Sequence, residues 1–220
     1  MSPTRPTHPM PRRFLAALLL ALSASSAAAG ALNGSVALGR SPNARRARAR
    51  DTVIWLEQLP EKTERQLTRP PARWFRHRRP PPPLPLIIES GRSYHPHVLA
   101  LAAGSALVIR NEDQVWHGTF SVSPARAFEL GKRPPGRADT LSFDSTGVVA
   151  LRCDIHPDMS AFVVVTPNHA FTQPDSAGQW RLPDLPAGHY VVHAWRPEHR
   201  DLHRAVDVPS RGTVNLSLHW

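Results

Sequence analysis

Short runs in which apolar and polar residues alternate recur along most of this chain. The last is the clearest: Val214, Leu216, Leu218 and Trp220 alternate with Thr213, Asn215, Ser217 and His219, the period-two pattern of a half-buried strand. Gly34-Ser35-Val36 and Thr52-Val53-Ile54-Trp55-Leu56-Glu57 form an early pair of similar pieces. A central series follows with Leu86-Ile87-Ile88, His97-Val98-Leu99-Ala100-Leu101, Ala106-Leu107-Val108-Ile109-Arg110, Thr119-Phe120-Ser121-Val122 and Leu141-Ser142-Phe143, separated by Gly-Ser, Asn-Glu-Asp and Pro-Pro-Gly turns. The runs Val148-Val149-Ala150-Leu151 and Ala161-Phe162-Val163-Val164-Val165 close that series. From Asp175 to Trp195, turn glycines again punctuate alternating segments. Regular short strands with turn signals predict an all-β protein of sandwich or barrel type. No amphipathic helix of useful length is visible in the central series.

Composition changes sharply between the early pair and the central series. Pro70-Pro71, a run of arginines, and Pro80-Pro81-Pro82-Pro83-Leu84-Pro85 predict an extended, semi-rigid spacer and mark a domain boundary. At the start of the chain, Arg5, Arg12 and Arg13 precede the apolar stretch Phe14 to Leu22, and Ala27-Ala28-Ala29 follows. This is the pattern of a secretory signal over residues 1–29 with a small-residue cleavage site. The apolar stretch is well short of the ~20 residues that span a bilayer, and Arg12-Arg13-Phe14-Leu15 lacks the residue usual between a twin-arginine pair and Phe. Ordinary export to a bacterial periplasm is expected, with no membrane span in the mature protein.

The chain holds 27 Lys and Arg against 17 Asp and Glu, a net charge of +10 that falls to +7 without the three signal arginines. Much of the excess is local, at Arg40, Arg45, Arg46, Arg48 and Arg50 and then at Arg69, Arg73, Arg76, Arg78 and Arg79. Such clusters attract nucleic acid, anionic membrane or acidic protein. Export excludes nucleic acid, leaving an acidic protein partner or a solvated loop without a specific role.

One segment concentrates the chemistry. Cys153-Asp154-Ile155-His156-Pro157-Asp158-Met159 places a thiol, an imidazole and a thioether in one loop between two predicted strands. With 12 His and 3 Met in 220 residues, His at +3 and Met at +6 of the only Cys is a coincidence of roughly one in a thousand. Two His and one Cys in a plane with a weak axial Met is the ligand geometry of blue-copper centres. The loop supplies three of the four, and the second His must come from another strand; His117 is the best candidate. A lone Cys in an oxidising compartment cannot form an internal disulfide and is exposed to oxidation, so coordination is a reason to retain it. A buried, inert thiol is the alternative.

At these residues the chain resembles the cupredoxins, and Cys-x-x-His-x-x-Met is similar to the short ligand loop of the amicyanins. Tyr94-His95-Pro96-His97-Val98-Leu99, Gly104-Ser105, Asn111-x-Asp113, His117-x-x-Phe120-Ser121, Phe128-Glu129-Leu130-Gly131 and Cys153-x-x-His156-Pro157-x-Met159 also resemble the plastocyanin-like proteins labelled methylamine utilisation proteins. That resemblance implies a Greek-key β-sandwich over residues 84–167 and one type 1 copper held by His117, Cys153, His156 and Met159. It has one departure: many cupredoxins carry Asn after the first His ligand, where its side chain ties the two ligand loops, and this chain has Gly118. The block from Asp175 to Trp195 resembles the carboxypeptidase regulatory, transthyretin-like sandwich, in which a Gly-x-Val and a Val-x-Leu strand come earlier. This implies a second, smaller sandwich made of residues 31–60 and 168–220, with a Pro/Arg-rich linker over 61–83 and the cupredoxin inserted. An N-terminal extension packed on the cupredoxin is the simpler arrangement.

The C-terminal part also carries His189, His193, His199, His203 and His219. His199 and His203 are four apart, but Pro197 and polar neighbours predict a loop there, and spacing alone does not make a second metal site. No triad, phosphate-binding glycine loop or open catalytic metal site is recognisable, so a carrier rather than an enzyme is expected. The readings are a monomeric electron carrier serving a periplasmic dehydrogenase or cytochrome, a copper-delivery protein without redox duty, or a sandwich that binds peptide or glycan. In the first, electrons pass through His156, with Pro157 and Ala161 as its apolar surroundings.

Overall fold

The computed structural model describes residues 29–37, 48–68 and 83–220. The expected signal up to Ala28, most of the arginine-rich connection and the proline run up to Pro82 lie outside the described residues. Among the described residues the protein is all-β apart from one short helix and a single 3-10 turn, and no helix is long and apolar enough to cross a membrane.

Strands β1 (Ala29–Ala37) and β2 (Val53–Leu56) come first, followed by the helix α1 (Glu61–Thr68). The helix occupies the start of the stretch read as linker. Its eight residues are too few to hold a helix by propensity alone, and three local features compensate. The Pro60 carbonyl accepts the N–H groups of Thr63 and Glu64, Arg65 pairs with Glu61 one turn earlier, and Glu64 takes the His169 ring nitrogen at 2.6 Å.

The central strands are β3 (Leu86–Ser90), β4 (Ser93–His95), β5 (Val98–Ala102), β6 (Ser105–Asn111), β7 (Thr119–Ser123), β8 (Arg126–Glu129), β9 (Ala138–Phe143), β10 (Gly147–Cys153) and β11 (Ser160–Thr166). They form two sheets, in the orders β4-β3-β6-β9 and β5-β11-β10-β7-β8. Ile87, Leu107 and Phe143 from the first pack with Leu101, Leu151 and Val163 from the second in one buried core. Cys153 and Met159 belong to that core too.

The remaining strands are β12 (Phe171–Thr172), β13 (Gln179–Arg181), β14 (Leu185–Pro186), β15 (Gly188–Trp195), β16 (Leu202–Val208) and β17 (Thr213–His219). β1 runs parallel to β17 and antiparallel to β13 and β14. β2 lies between β12 and β15 in a sheet that ends with β16. Leu32, Trp180 and Leu218 pack with Ile54, Val192 and Leu202 as a second core.

A third apolar cluster joins the two pairs of sheets. Val53 and Trp55 on the outer face of β2 pack with Val98 of β5 and Val164 of β11, and Phe162 meets Trp195 edge-on. β2 is buried along its whole length, and β11 from Val163 onward. The piece around Val53–Leu56, expected to alternate, is thus a continuous buried run like β11, as expected of strands covered on both faces.

Several strands lie where alternation is not visible in the sequence. β4 and β8 are three and four residues long, and β16 is exposed along most of its length. The loop expected around His199 and His203 is confined to the turn before Leu202; His203 is in β16, opposite His193.

Candidate metal centre

The ladder between β7 and β10 pairs Thr119 with Cys153, so the loop that ends at Gly118 and the loop that starts at Asp154 leave adjacent strands side by side. Three donor atoms converge there. His117 Nδ1 and His156 Nδ1 are 3.2 Å apart, and Cys153 Sγ is 3.6 Å from His156 Nδ1 and 3.8 Å from His117 Nδ1. A point equidistant from all three lies ~2 Å from each, which is the length of a metal bond to imidazole or thiolate. The residues present therefore fit a metal ion with two nitrogen ligands and one sulfur ligand.

Met159, the fourth expected residue, is only 1% exposed and shares the core with Cys153. Its N–H donates to the His156 carbonyl at 3.0 Å, which closes the loop after His156. The structure thus brings His117, Cys153 and His156 into one triangle and buries Met159 beneath the same loop.

His117 is fixed from every side. Its N–H donates to the Arg133 carbonyl (3.1 Å), and its own carbonyl accepts the Arg133 N–H (2.7 Å). Asp113 Oδ2 lies 2.8 Å from its Nε2, which sets the ring so that Nδ1 points at the other donors. Such a carboxylate behind a metal-binding imidazole both orients it and raises its basicity. Asp113 also accepts the N–H groups of Gly91 (2.7 Å) and Arg92 (2.9 Å). Burial alone would raise its carboxyl, but the Arg92 N–H, the His117 ring and the Gly91 N–H outweigh that and hold it below the usual carboxylate range. Asn111 shapes the intervening turn: its Oδ1 accepts the Asp113 N–H at 2.9 Å, and its Nδ2 donates to the carbonyls of Val115 and Arg133. Sequence reasoning assigned no role to Asp113. The signal was Asn111-x-Asp113, a local side-chain turn pattern, four residues before a candidate ligand.

Beneath the site lies a buried polar network. The guanidinium of Arg133 pairs with Glu89, and both are almost wholly buried. Arg133 also donates to Thr119 Oγ1 at 2.8 Å, while the Thr119 hydroxyl donates to Glu89. Tyr94 Oη stands 2.9 Å from Thr119 Oγ1 and donates to the Arg152 carbonyl. Burial pushes the Tyr94 phenol well above its ordinary range, keeping it a neutral donor at any working pH.

At Gly118 a Cβ would stand 1.9 Å from Asp154 Oδ1 and 2.5 Å from its Cγ, the far end of an exposed side chain that can turn aside. The tie between the two loops is made by main chain instead. The Gly118 N–H points to Cys153 Sγ at 3.5 Å, and its carbonyl accepts the Asp154 N–H at 3.0 Å.

At the surface the site is asymmetric. His117 is fully buried, while His156 is partly exposed. Trp116, 52% exposed, and Ile155, 38% exposed, neighbour the two histidines, and Pro157 is exposed beside them. Ala161, expected in this apolar surface, is instead completely buried in the core, because it is the first inward-facing residue of β11. Trp116 and Ile155 take its place.

No protein-family model and no curated protein matches the chain. Among solved structures, it is similar to a Cu-containing nitrite reductase from Thermus scotoductus, at 24% identity over 39% of this chain and 23% of that one, with a TM-score of 0.37. A Cu(I) form of an amicyanin mutant is 20% identical over 37% of this chain and 81% of that one, with a TM-score of 0.35. A purple cupredoxin from Nitrosopumilus maritimus is 22% identical over 37% and 99%, with a TM-score of 0.34.

Two predictions follow from the geometry of the loops. Gly118→Ala should cost the metal-free protein about 0.5 kcal/mol or less in urea unfolding, because the exposed Asp154 side chain can turn aside. A penalty of several kcal/mol that Asp154→Ala relieves would show instead that the carboxylate is held in place. Asp113→Ala should cost roughly 1–3 kcal/mol at neutral pH, as expected for hydrogen bonds to a charged group. The depressed carboxyl contributes fully above the unfolded value of about 3.9 and loses its contribution as pH falls through the lower folded value. The gap between Asp113→Ala and the parent should therefore close in acid, and a gap independent of pH in acid-titrated unfolding would contradict the assignment.

Proposed function

We propose that this protein is a type 1 (blue) copper protein of the bacterial periplasm that carries single electrons between redox partners. His117, Cys153, His156 and Met159 are the ligands of one copper in this reading. The observation that carries it is the triangle of two imidazole nitrogens and one thiol sulfur, with edges of 3.2, 3.6 and 3.8 Å. A copper bound there would supply one-electron chemistry between Cu(I) and Cu(II).

The chain's own residues account for the rest. Asp113, Arg133 and the Gly118 main chain hold the donors in place, so little ligand rearrangement accompanies a change of charge. The surrounding core excludes water from Cys153 and Met159. His156, partly exposed between Ile155 and Pro157, offers the route by which an electron enters or leaves. The excess positive charge of the chain favours an acidic partner, a dehydrogenase or cytochrome, by steering encounter.

We also read the chain as two domains: a cupredoxin sandwich over 84–167, inserted into a smaller transthyretin-like sandwich of residues 31–60 and 168–220, with 61–83 as the link. Strand pairing supports this division. Among the described residues, β1 and β2 pair only with strands from Phe171 onward, and β3 to β11 pair only with one another.

Metal-free protein titrated with Cu(II) should develop an intense visible thiolate band that saturates at one equivalent, and Cys153→Ser should abolish it. A parent protein that binds Zn(II) but stays colourless with Cu(II) would rule out the blue-copper reading. Ready loss of copper to an acceptor protein, without reversible reduction, would instead favour a delivery role. A chain cut to residues 84–167 should fold and keep the copper band, with lower stability than the parent because Val98 and Val164 lose their cover. If the cut chain is unfolded by circular dichroism, residues 84–167 are not an independent domain.

A further inference from the structure

A second group of donors lies far from the metal loops. β15 and β16 place His193 directly opposite His203, at the cross-strand spacing where side chains touch. Glu57, the residue after β2, reaches both: its Oε1 is 2.5 Å from His203 Nδ1 and 3.8 Å from His193 Nδ1. The other nitrogen of His193, Nε2, is held by Asp201 Oδ2 at 2.7 Å, and the ring stacks on Trp55 with centroids 4.0 Å apart. A cleft of about 300 Å³, bordered by Trp55, Val148, Val164, Pro167 and Asp201, opens beside these side chains. Val148 lies at the start of β10 and Cys153 at its end, so roughly 17 Å of extended strand separates this cleft from the first site.

We propose that Glu57, His193 and His203 form a second cation site, for a divalent transition ion of the Zn(II) or Cu(II) kind, with Asp201 orienting His193. One donor atom from each of the three residues lies within 4.8 Å of the others. A tetrahedral ion bonded at about 2 Å needs donors ~3.3 Å apart, a closure of about an ångström for side chains that are partly exposed. Two imidazoles and a carboxylate suit Zn(II) and Cu(II), and the absence of sulfur among them disfavours Cu(I). Asp201 stands to His193 as Asp113 stands to His117: a carboxylate on the far nitrogen that fixes the tautomer and aims the near one. Trp55 holds the ring from below. Three protein ligands leave a fourth position open to the cleft, for water or a further donor.

The reading is independent of the copper centre, and the test separates the two. Full-length mature protein without a purification tag is dialysed against low-micromolar Zn(II), and bound metal is counted in the parent, Glu57→Gln, His203→Ala, Asp201→Asn and Cys153→Ser. The parent should hold two equivalents, Glu57→Gln and His203→Ala one, and Cys153→Ser the one at Glu57, His193 and His203. Asp201→Asn should weaken the second equivalent by about 10–100-fold. With Cu(II), the second equivalent should bind without adding to the visible thiolate band. If Glu57→Gln and His203→Ala, folded by circular dichroism, bind as much metal as the parent, the site is a hydrogen-bonded cluster only and the proposal falls. If those variants lose the only Zn(II) equivalent, Cys153→Ser loses none and Cu(II) gives no visible band, this proposal stands and the copper reading fails.

Discussion

Glu89 and Arg133 are the charges on which the candidate centre rests. Each is buried almost completely, and a charge in that position is tolerable only when paired and hydrogen-bonded. Removing one partner of such a pair costs about 3–5 kcal/mol, because the other is left uncompensated. The geometric consequence is as important as the energy. Arg133 must keep its guanidinium on Glu89 and Thr119, so its main chain is fixed, and that main chain grips His117 through two hydrogen bonds. Glu89 sits on β3 and Thr119 on β7, which belong to different sheets. The pair therefore locks one sheet to the other directly beneath the donors.

A second constraint comes from outside that sandwich. β11 leaves the ligand loop with Ala161, Val163 and Val165 on one core and Val164 on the other side against Val53 and Trp55. A strand covered on both faces cannot slip by one residue without placing every side chain on the wrong face. β5 pairs with it in parallel, from Val98 beside Phe162 to Ala102 beside Thr166, and is covered in the same way. The strand that follows His156 and Met159 is thus held in register by two hydrophobic cores, one of them shared with the second pair of sheets.

This division explains what the sequence made legible. Cys153, His156 and Met159 are close in sequence, and their residue types alone narrow the chemistry, so the candidate donor loop stood out directly. His117 needed only one further step, a second wall for the site. The half-buried strand β17 and the doubly buried β11 have opposite patterns, alternating and continuous, and both were readable. The features that stayed hidden depend on how a turn folds locally or on pairing across long sequence distances. Asp113 acts because an Asn111 turn folds it back on His117; Asn111-x-Asp113 signals the turn but not which side chain the carboxylate meets. Glu57, His193 and His203 come from the end of β2, from β15 and from β16, and β16 shows no alternation because most of its side chains are exposed. Reading His203 with His199 as a helical pair or a loop missed the residue opposite it, His193 on the paired strand β15.

Gly118 shows how the same constraint can be met by different chemistry. Two loops that contribute ligands from separate strands need a cross-tie, or the donors can drift apart when the charge at the site changes. An Asn side chain can supply that tie. Gly118 has no side chain to do so, and the tie is made by its main chain, through its N–H toward Cys153 Sγ and its carbonyl toward the Asp154 N–H. A main-chain tie has no rotamers of its own, so it moves only if the strands move. Those strands are β7 and β10, paired at Thr119 and Cys153 above the Glu89–Arg133 lock. Rigidity at the donors is then inherited from the sheets, and the only side chain of the triangle left partly exposed is His156, on the loop between them and β11.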